Sequence, residues 1–120
     1  MPRVVIIAIG QHDSSTYPGI ARDKEAKIRW RTAYLDVLKR LREAYSDAYI
    51  VLTAMLLNHP PAWDEALFEI ARERGDGGIR AYRYARAGSC TPGHLRKSES
   101  EETARELNAF LKTMDNPWQE

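Results

Sequence analysis

Val4-Val5-Ile6-Ile7-Ala8-Ile9, followed by Gly10-Gln11-His12-Asp13, is the stretch that decides how this chain folds. Its apolar run is mostly β-branched and shows no alternation with polar residues, the pattern of a strand covered on both faces. It stops at a segment of turn formers, Gly10 through Gly19. Strands of this kind belong to parallel sheets, which need a long crossover between one strand and the next. A helix is therefore expected next, and then another strand.

The rest of the chain supplies both, repeatedly. From about Asp23 to Ala44, Trp30, Ala33, Tyr34, Val37, Leu38, Leu41 and Tyr45 recur at helical spacing, with Arg29, Arg31, Asp36, Lys39, Arg40 and Arg42 directed outward. Ala48 to Met55 reads as a second strand, ending in a loop marked by Asn58-His59-Pro60-Pro61. Pro61-Ala62-Trp63 opens a second helix with Trp63, Ala66, Leu67 and Ile70 on one face and Gly75 past its end. Ile79 to Ala85 alternates and is more polar, as suits an edge strand. A last helix is expected from about Ser98 to Met114. Ser98 and Glu101 are placed to form a capping box, and Ala104, Leu107, Phe110, Leu111 and Met114 form the buried stripe.

The order is β-α-β-α-β-α, with no repeat and no linker. It predicts a single α/β domain over residues 1–120, a parallel sheet between helical layers, flavodoxin-like in its alternation. Two right-handed crossovers place the first two helices on one face of the sheet and leave the last helix to cover the other. The first strand is then left with an open edge and a thinly covered second face. A neighbour is expected there, either a second copy of the chain or further sequence.

Composition narrows the function. At 120 residues, 43% hydrophobic and 29% charged, the chain has the make-up of an ordinary globular domain, not of a collagenous or disordered one. A net charge of +1 gives no general attraction to nucleic acid or to acidic membranes, so neither is expected as a partner. One cysteine, Cys90, rules out an intrachain disulfide framework. No apolar run approaches the ~20 residues that span a bilayer. Met1-Pro2-Arg3 leads directly into the first strand without a signal-peptide pattern, which makes the cytoplasm the expected compartment.

In an open parallel sheet, ligands bind beyond the carboxyl ends of the strands. Two polar clusters fall there: Gly10-Gln11-His12-Asp13 after the first strand and Thr91-Pro92-Gly93-His94 after the third. A lone loop histidine is more often a surface or hydrogen-bonded residue than a catalytic one. Two of them on one functional edge is a stronger signal.

These blocks carry a resemblance. Residues 4–13 are similar to the strand and Gly-x-Asn-Asp block of the SGNH (GDSL-type) esterases, and Gly93 to Leu107 to that family's last block. In that last block a histidine is followed ten residues on by a small residue of the closing helix, as His94 is by Ala104. The similarity extends over nearly the whole chain, but covers only the C-terminal half of the family's domain. It implies an SGNH-hydrolase-like sheet and hydrolysis of carboxylic esters, with short-acyl or carbohydrate esters among the substrates and no cofactor. By the same resemblance His94 is the general base, and His12 stands where the family has its oxyanion-hole Asn. A neutral imidazole N–H can still donate there. Asp13, with Gly10 and Gln11, braces the loop. Thr91 occupies the place of the Asp that orients the histidine, and a threonine accepts a hydrogen bond without stabilising an imidazolium by charge.

The family's nucleophile lies in a Gly-Asp-Ser block, and this sequence has none. Ser14 and Ser15 are the nearest hydroxyls to the expected position, although they follow a different strand from the family's nucleophile. Serines in such positions are commonly turn formers. Two function classes follow: an ester hydrolase, or a fold-retaining module for binding or assembly with no nucleophile. Other arrangements fit less well. Cys90 with His94 as base is conceivable, but an inert thiol is the plainer reading. His12, His59 and His94 lack the short spacing of a zinc site. Gly75-Asp76-Gly77-Gly78 is a helix stop, with no following Lys-Ser or Lys-Thr to make a phosphate loop. The acidic pair and lysine of a receiver-like signalling domain are absent.

Overall fold

The computed structural model describes residues 2–9, 23–53, 61–85 and 97–114. Within them strand and helix alternate as β1 (Val4–Ile7), α1 (Lys24–Ala44), β2 (Tyr49–Thr53), α2 (Pro61–Arg74), β3 (Ile79–Tyr82) and α3 (Lys97–Thr113). The strands form one parallel sheet in the order β1-β2-β3, with Val5 opposite Ile50 and Ile50 opposite Ile79. The α/β class and the order of elements agree with the sequence reading. Each strand is shorter than its apolar run, because pairing bounds a strand and composition does not: β1 ends with Ile7, which lies opposite Leu52.

The helix ends follow local chemistry. Asp23 caps α1, its Oδ1 accepting from Glu25 N at 2.9 Å and Ala26 N at 3.3 Å, which satisfies two of the helix's free amides. Pro61 takes the first position of α2, where its missing N–H costs nothing. Gly75 stops α2 with φ +61°, a left-handed conformation that a side chain would strain. α3 starts at Lys97, so Ser98 lies inside the first turn and is not the cap of a Ser98–Glu101 box.

The layers are as the crossover rule requires. Tyr34 and Leu38 of α1 and Trp63, Ala66, Leu67 and Ile70 of α2 pack with Ile7, Ile50, Leu52 and Ile79 on one face. Leu107, Phe110, Leu111 and Met114 at the end of α3 cover Val4, Tyr49, Val51 and Tyr82 on the other. β2 is the centre: Ile50, Val51 and Leu52 are all fully buried. β1 lies at an edge, and the α3 side chains that cover Val4 do not extend to Ile6. Ile6, on the α3 side, stays 45% exposed, so the most apolar stretch of the sequence is covered well on one face only. Among the described residues no helix is long and apolar enough to cross a membrane.

Three expectations about side chains change. In α1 the line facing the core runs Ala26, Trp30, Tyr34, Leu38, Leu41, with Trp30 and Leu41 half-buried, while Ala33 and Val37 are exposed. Each sits one residue before a buried position, about 100° round the helix from it, and so turns away from the sheet. Ala104 is likewise exposed, because α3 packs through its C-terminal half. Arg42, expected to face solvent, is folded inward. Its Nε donates to Asp76 Oδ2 at 2.8 Å, and Nη1 donates to the carbonyls of Tyr45, Ser46 and Ala48. The guanidinium thus ties the end of α1 to the turn before β3, using several of its five donors in the fork geometry only arginine has.

Candidate active site

Because the three strands are parallel, they end on one edge, at Ile7, Thr53 and Tyr82. The helices run back along the sheet, so their N-termini face the same edge. The first turns there are acidic, with Glu25, Asp64 and Glu99, charges that the helix dipoles favour. Asp64 and Glu99 are buried, and Arg83 Nε stands 3.7 Å from Asp64 Oδ2.

Past the end of β3 the chain is held from several sides. Tyr82 points to the α3 face, stacks on Phe110 at 4.6 Å and donates its hydroxyl to Glu106 Oε1 at 2.5 Å. Ala85 N donates to the same oxygen at 2.6 Å. Arg83 points the other way, to Asp64 of α2. Tyr84 makes a side-chain hydrogen bond with Thr53 at the end of β2 and meets Tyr82 edge-on at 5.3 Å. Thr53 itself is buried, and its hydroxyl donates to Ile7 O at 3.4 Å, linking the ends of β1 and β2.

The titration behaviour follows from these contacts. Burial, and then the hydrogen bond and charge of Glu106, push Tyr82 up to about 12. Tyr84 is raised by burial and by Glu106, against an opposing contribution from Thr53. Both phenols are neutral near pH 7 and serve as hydrogen-bonding and stacking surfaces, not as bases.

The residues that the sequence put forward, namely His12, Ser14, Ser15, Thr91 and His94, with Gly10, Gln11 and Asp13 as support, lie outside the described residues. So do His59, Ser89 and Cys90. The described chain stops at Ile9 and Ala85, the residues from which the segments bearing His12 and His94 continue, and these follow β1 and β3 at the carboxyl edge. Among the described residues no group of three histidine, cysteine or carboxylate side chains is arranged to hold a metal.

Thr53, Asp64, Tyr84 and Glu106 were not singled out from sequence. Strand alternation puts residues 82 and 84 on one side, and helical spacing puts Glu106 on the same face as Phe110. Those two patterns were the available signal. An open depression of about 410 Å³ does exist, but it lies at the amino ends of the strands, lined by Arg42, Asp47, Asp76 and Arg80 among others. Arg42 and Asp76 are engaged with each other there, and the edge is the wrong one for an α/β site.

No family model matches the chain, and no curated protein matches it. Among solved structures it is similar to an active-site mutant of a family two carbohydrate esterase from Clostridium thermocellum. That match has 21% identity and TM-score 0.77, covering 95% of this chain and 36% of that one. A family two carbohydrate esterase from Clostridium thermocellum in complex with cellohexaose is similar at 22% identity and TM-score 0.75, over 94% of this chain and 36% of the other. An acetyl xylan esterase, Est2A, from the rumen bacterium Butyrivibrio proteoclasticus follows at 15% identity and TM-score 0.71, over 94% and 37%. At such identities the likeness is one of fold, and the chain spans little more than a third of each of these structures.

Proposed function

We propose that this chain carries the histidine-bearing part of an SGNH-type ester hydrolase that acts on short-acyl esters of carbohydrates, and that it corresponds to the C-terminal half of that domain. One convergence supports the reading. A fold shared with carbohydrate esterases over nearly the whole chain coincides with His12 and His94 in the two segments that follow β1 and β3.

In this reading a serine hydroxyl attacks the ester carbonyl while His94 takes its proton. His94 then returns that proton to the leaving alcohol as the ester C–O bond breaks, and water completes the cycle through the same base. His12 and nearby backbone amides donate to the oxyanion, where charge develops in the transition state. Thr91 accepts a hydrogen bond from His94 and fixes its tautomer. Lacking a charge, it supports the imidazolium less than a carboxylate would. Ser14 and Ser15 are the nucleophile candidates within this sequence, with Gly10, Gln11 and Asp13 shaping their loop.

Thr91 in place of the orienting acid, together with the lack of a Gly-Asp-Ser block, favours a second reading: a non-catalytic module that keeps the fold for binding or assembly. Hydrolysis of p-nitrophenyl acetate and of acetylated xylo-oligosaccharides separates the two. The first reading expects turnover that falls at least ~100-fold in His94→Ala, as loss of a triad base does. Ser14→Ala and Ser15→Ala test each hydroxyl. Turnover indistinguishable from buffer rejects the enzyme reading for this chain and leaves the module.

A further inference from the structure

We propose that the depression at the amino ends of the strands is a second binding site, and that it takes a small zwitterion, a free amino acid or a short ω-amino acid. It lies at the opposite edge of the sheet from the candidate active site, and the inference does not rest on ester hydrolysis. Its basis is which charges in the cleft already have partners and which do not.

The floor of the cleft is closed upon itself. Arg42 gives Nε to Asp76 Oδ2 at 2.8 Å and Nη1 to the carbonyls of Tyr45, Ser46 and Ala48. The other oxygen of Asp76 accepts from Gly78 N at 2.8 Å. A Cβ at Gly78 would stand 3.1 Å from Arg42 Nη2, so the bare backbone there is what admits the guanidinium. Arg42 and Asp76 thus answer each other.

Two further charges line the same cleft from different elements. Asp47 belongs to the link between α1 and β2, Arg80 to β3, and both are exposed. Arg80 alternates with Ile79 and Ala81, which pack with α1 and α2, so it stands on the α3 side, where Thr113 also lines the cleft. Neither side chain has a hydrogen bond or ion pair among the described residues, so the two do not pair with each other. Asp47 also lies just past the C-terminal end of α1, where the helix dipole favours a cation. A ligand with a single charge answers half of this arrangement. A zwitterion answers both, its carboxylate on the Arg80 fork and its ammonium on Asp47. A volume of about 410 Å³ is that of a small-molecule site.

The test is an NMR titration of the isotope-labelled full chain with glycine, β-alanine and γ-aminobutyrate, which carry the same two groups at increasing separation. Saturable shifts centred on the amides of Asp47, Gly77, Gly78 and Arg80 are expected with at least one of them. Acetate and methylammonium, each supplying one charge at matched ionic strength, should bind about 10-fold more weakly. Arg80→Gln and Asp47→Asn should each weaken the best zwitterion about 10-fold as well. Tm should not change in either variant, since neither side chain has a partner to lose. Shifts that stay linear in all three zwitterions overturn the proposal. So does acetate or methylammonium binding as tightly as the best zwitterion, or an affinity that survives either substitution.

Discussion

Replacing Tyr34 with phenylalanine should make this protein more stable, by roughly 1 kcal/mol. Tyr34 is 2% exposed, its ring set against Trp30 at 5.1 Å, with Trp30 in turn edge-on to Trp63 at 5.3 Å. Its hydroxyl finds no hydrogen-bond partner among the described residues, and burial pushes its pKa upward. A buried hydroxyl left unpaired costs about 1–3 kcal/mol in proteins. Phenylalanine keeps the ring and its contacts and discards only that penalty. A hydroxyl that was bonded would contribute about 0.5–1.5 kcal/mol, and its loss would destabilise. The two cases therefore differ in sign.

Urea unfolding of Tyr34→Phe at pH 7, followed by far-ultraviolet circular dichroism, is the assay. The midpoint should rise with an unchanged m-value, and Tm should rise by about 3–6 °C for a domain of this size. Leu38→Ala, in the same helix and fully buried, calibrates the scale with an expected loss of about 2–5 kcal/mol. A midpoint for Tyr34→Phe clearly below that of the parent protein, again at constant m, would refute the reasoning and reveal a partner for the hydroxyl.

Asp23→Ala removes the cap of α1 and should cost about 1 kcal/mol by chemical denaturation, with Asp23→Asn close to neutral. Gly75→Ala meets no neighbour within 4 Å, so its cost of about 1–2 kcal/mol should come from backbone strain alone. Stability should hold up to pH 10 and decline from there towards pH 12. Tyr82 is raised in the folded state, so above pH 10 the unfolded chain loses its phenolic proton first, and Tyr82→Phe should flatten that decline. The open β1 edge with Ile6 exposed predicts self-association, visible by sedimentation at micromolar concentration and reduced in Ile6→Lys. A parent chain that is monomeric under those conditions would contradict it.

The sequence by itself determined the alternation of strands and helices, the parallel sheet and the faces on which the helices lie. Those features rest on local periodicity, on Asp23, Pro61 and Gly75 at helix ends, and on the fixed hand of the crossovers. The same periodicity was too coarse to tell Val37 from Leu38, since both are apolar and only contact with the sheet separates them. Taken alone, the apolar run read β1 as doubly covered, because it reports what its residues prefer and not which neighbours reach them; the thin second face followed only from the crossover argument.

Tertiary structure alone decided that Arg42 turns inward and that Glu106 gathers Tyr82 and Ala85 onto one oxygen. Each of these joins residues distant in sequence, and no spacing rule spans such a gap. For the candidate site, the sequence put forward His12 and His94, which lie outside the described residues. The fold contributed the edge from which their segments depart and the contacts that fix one of those departures.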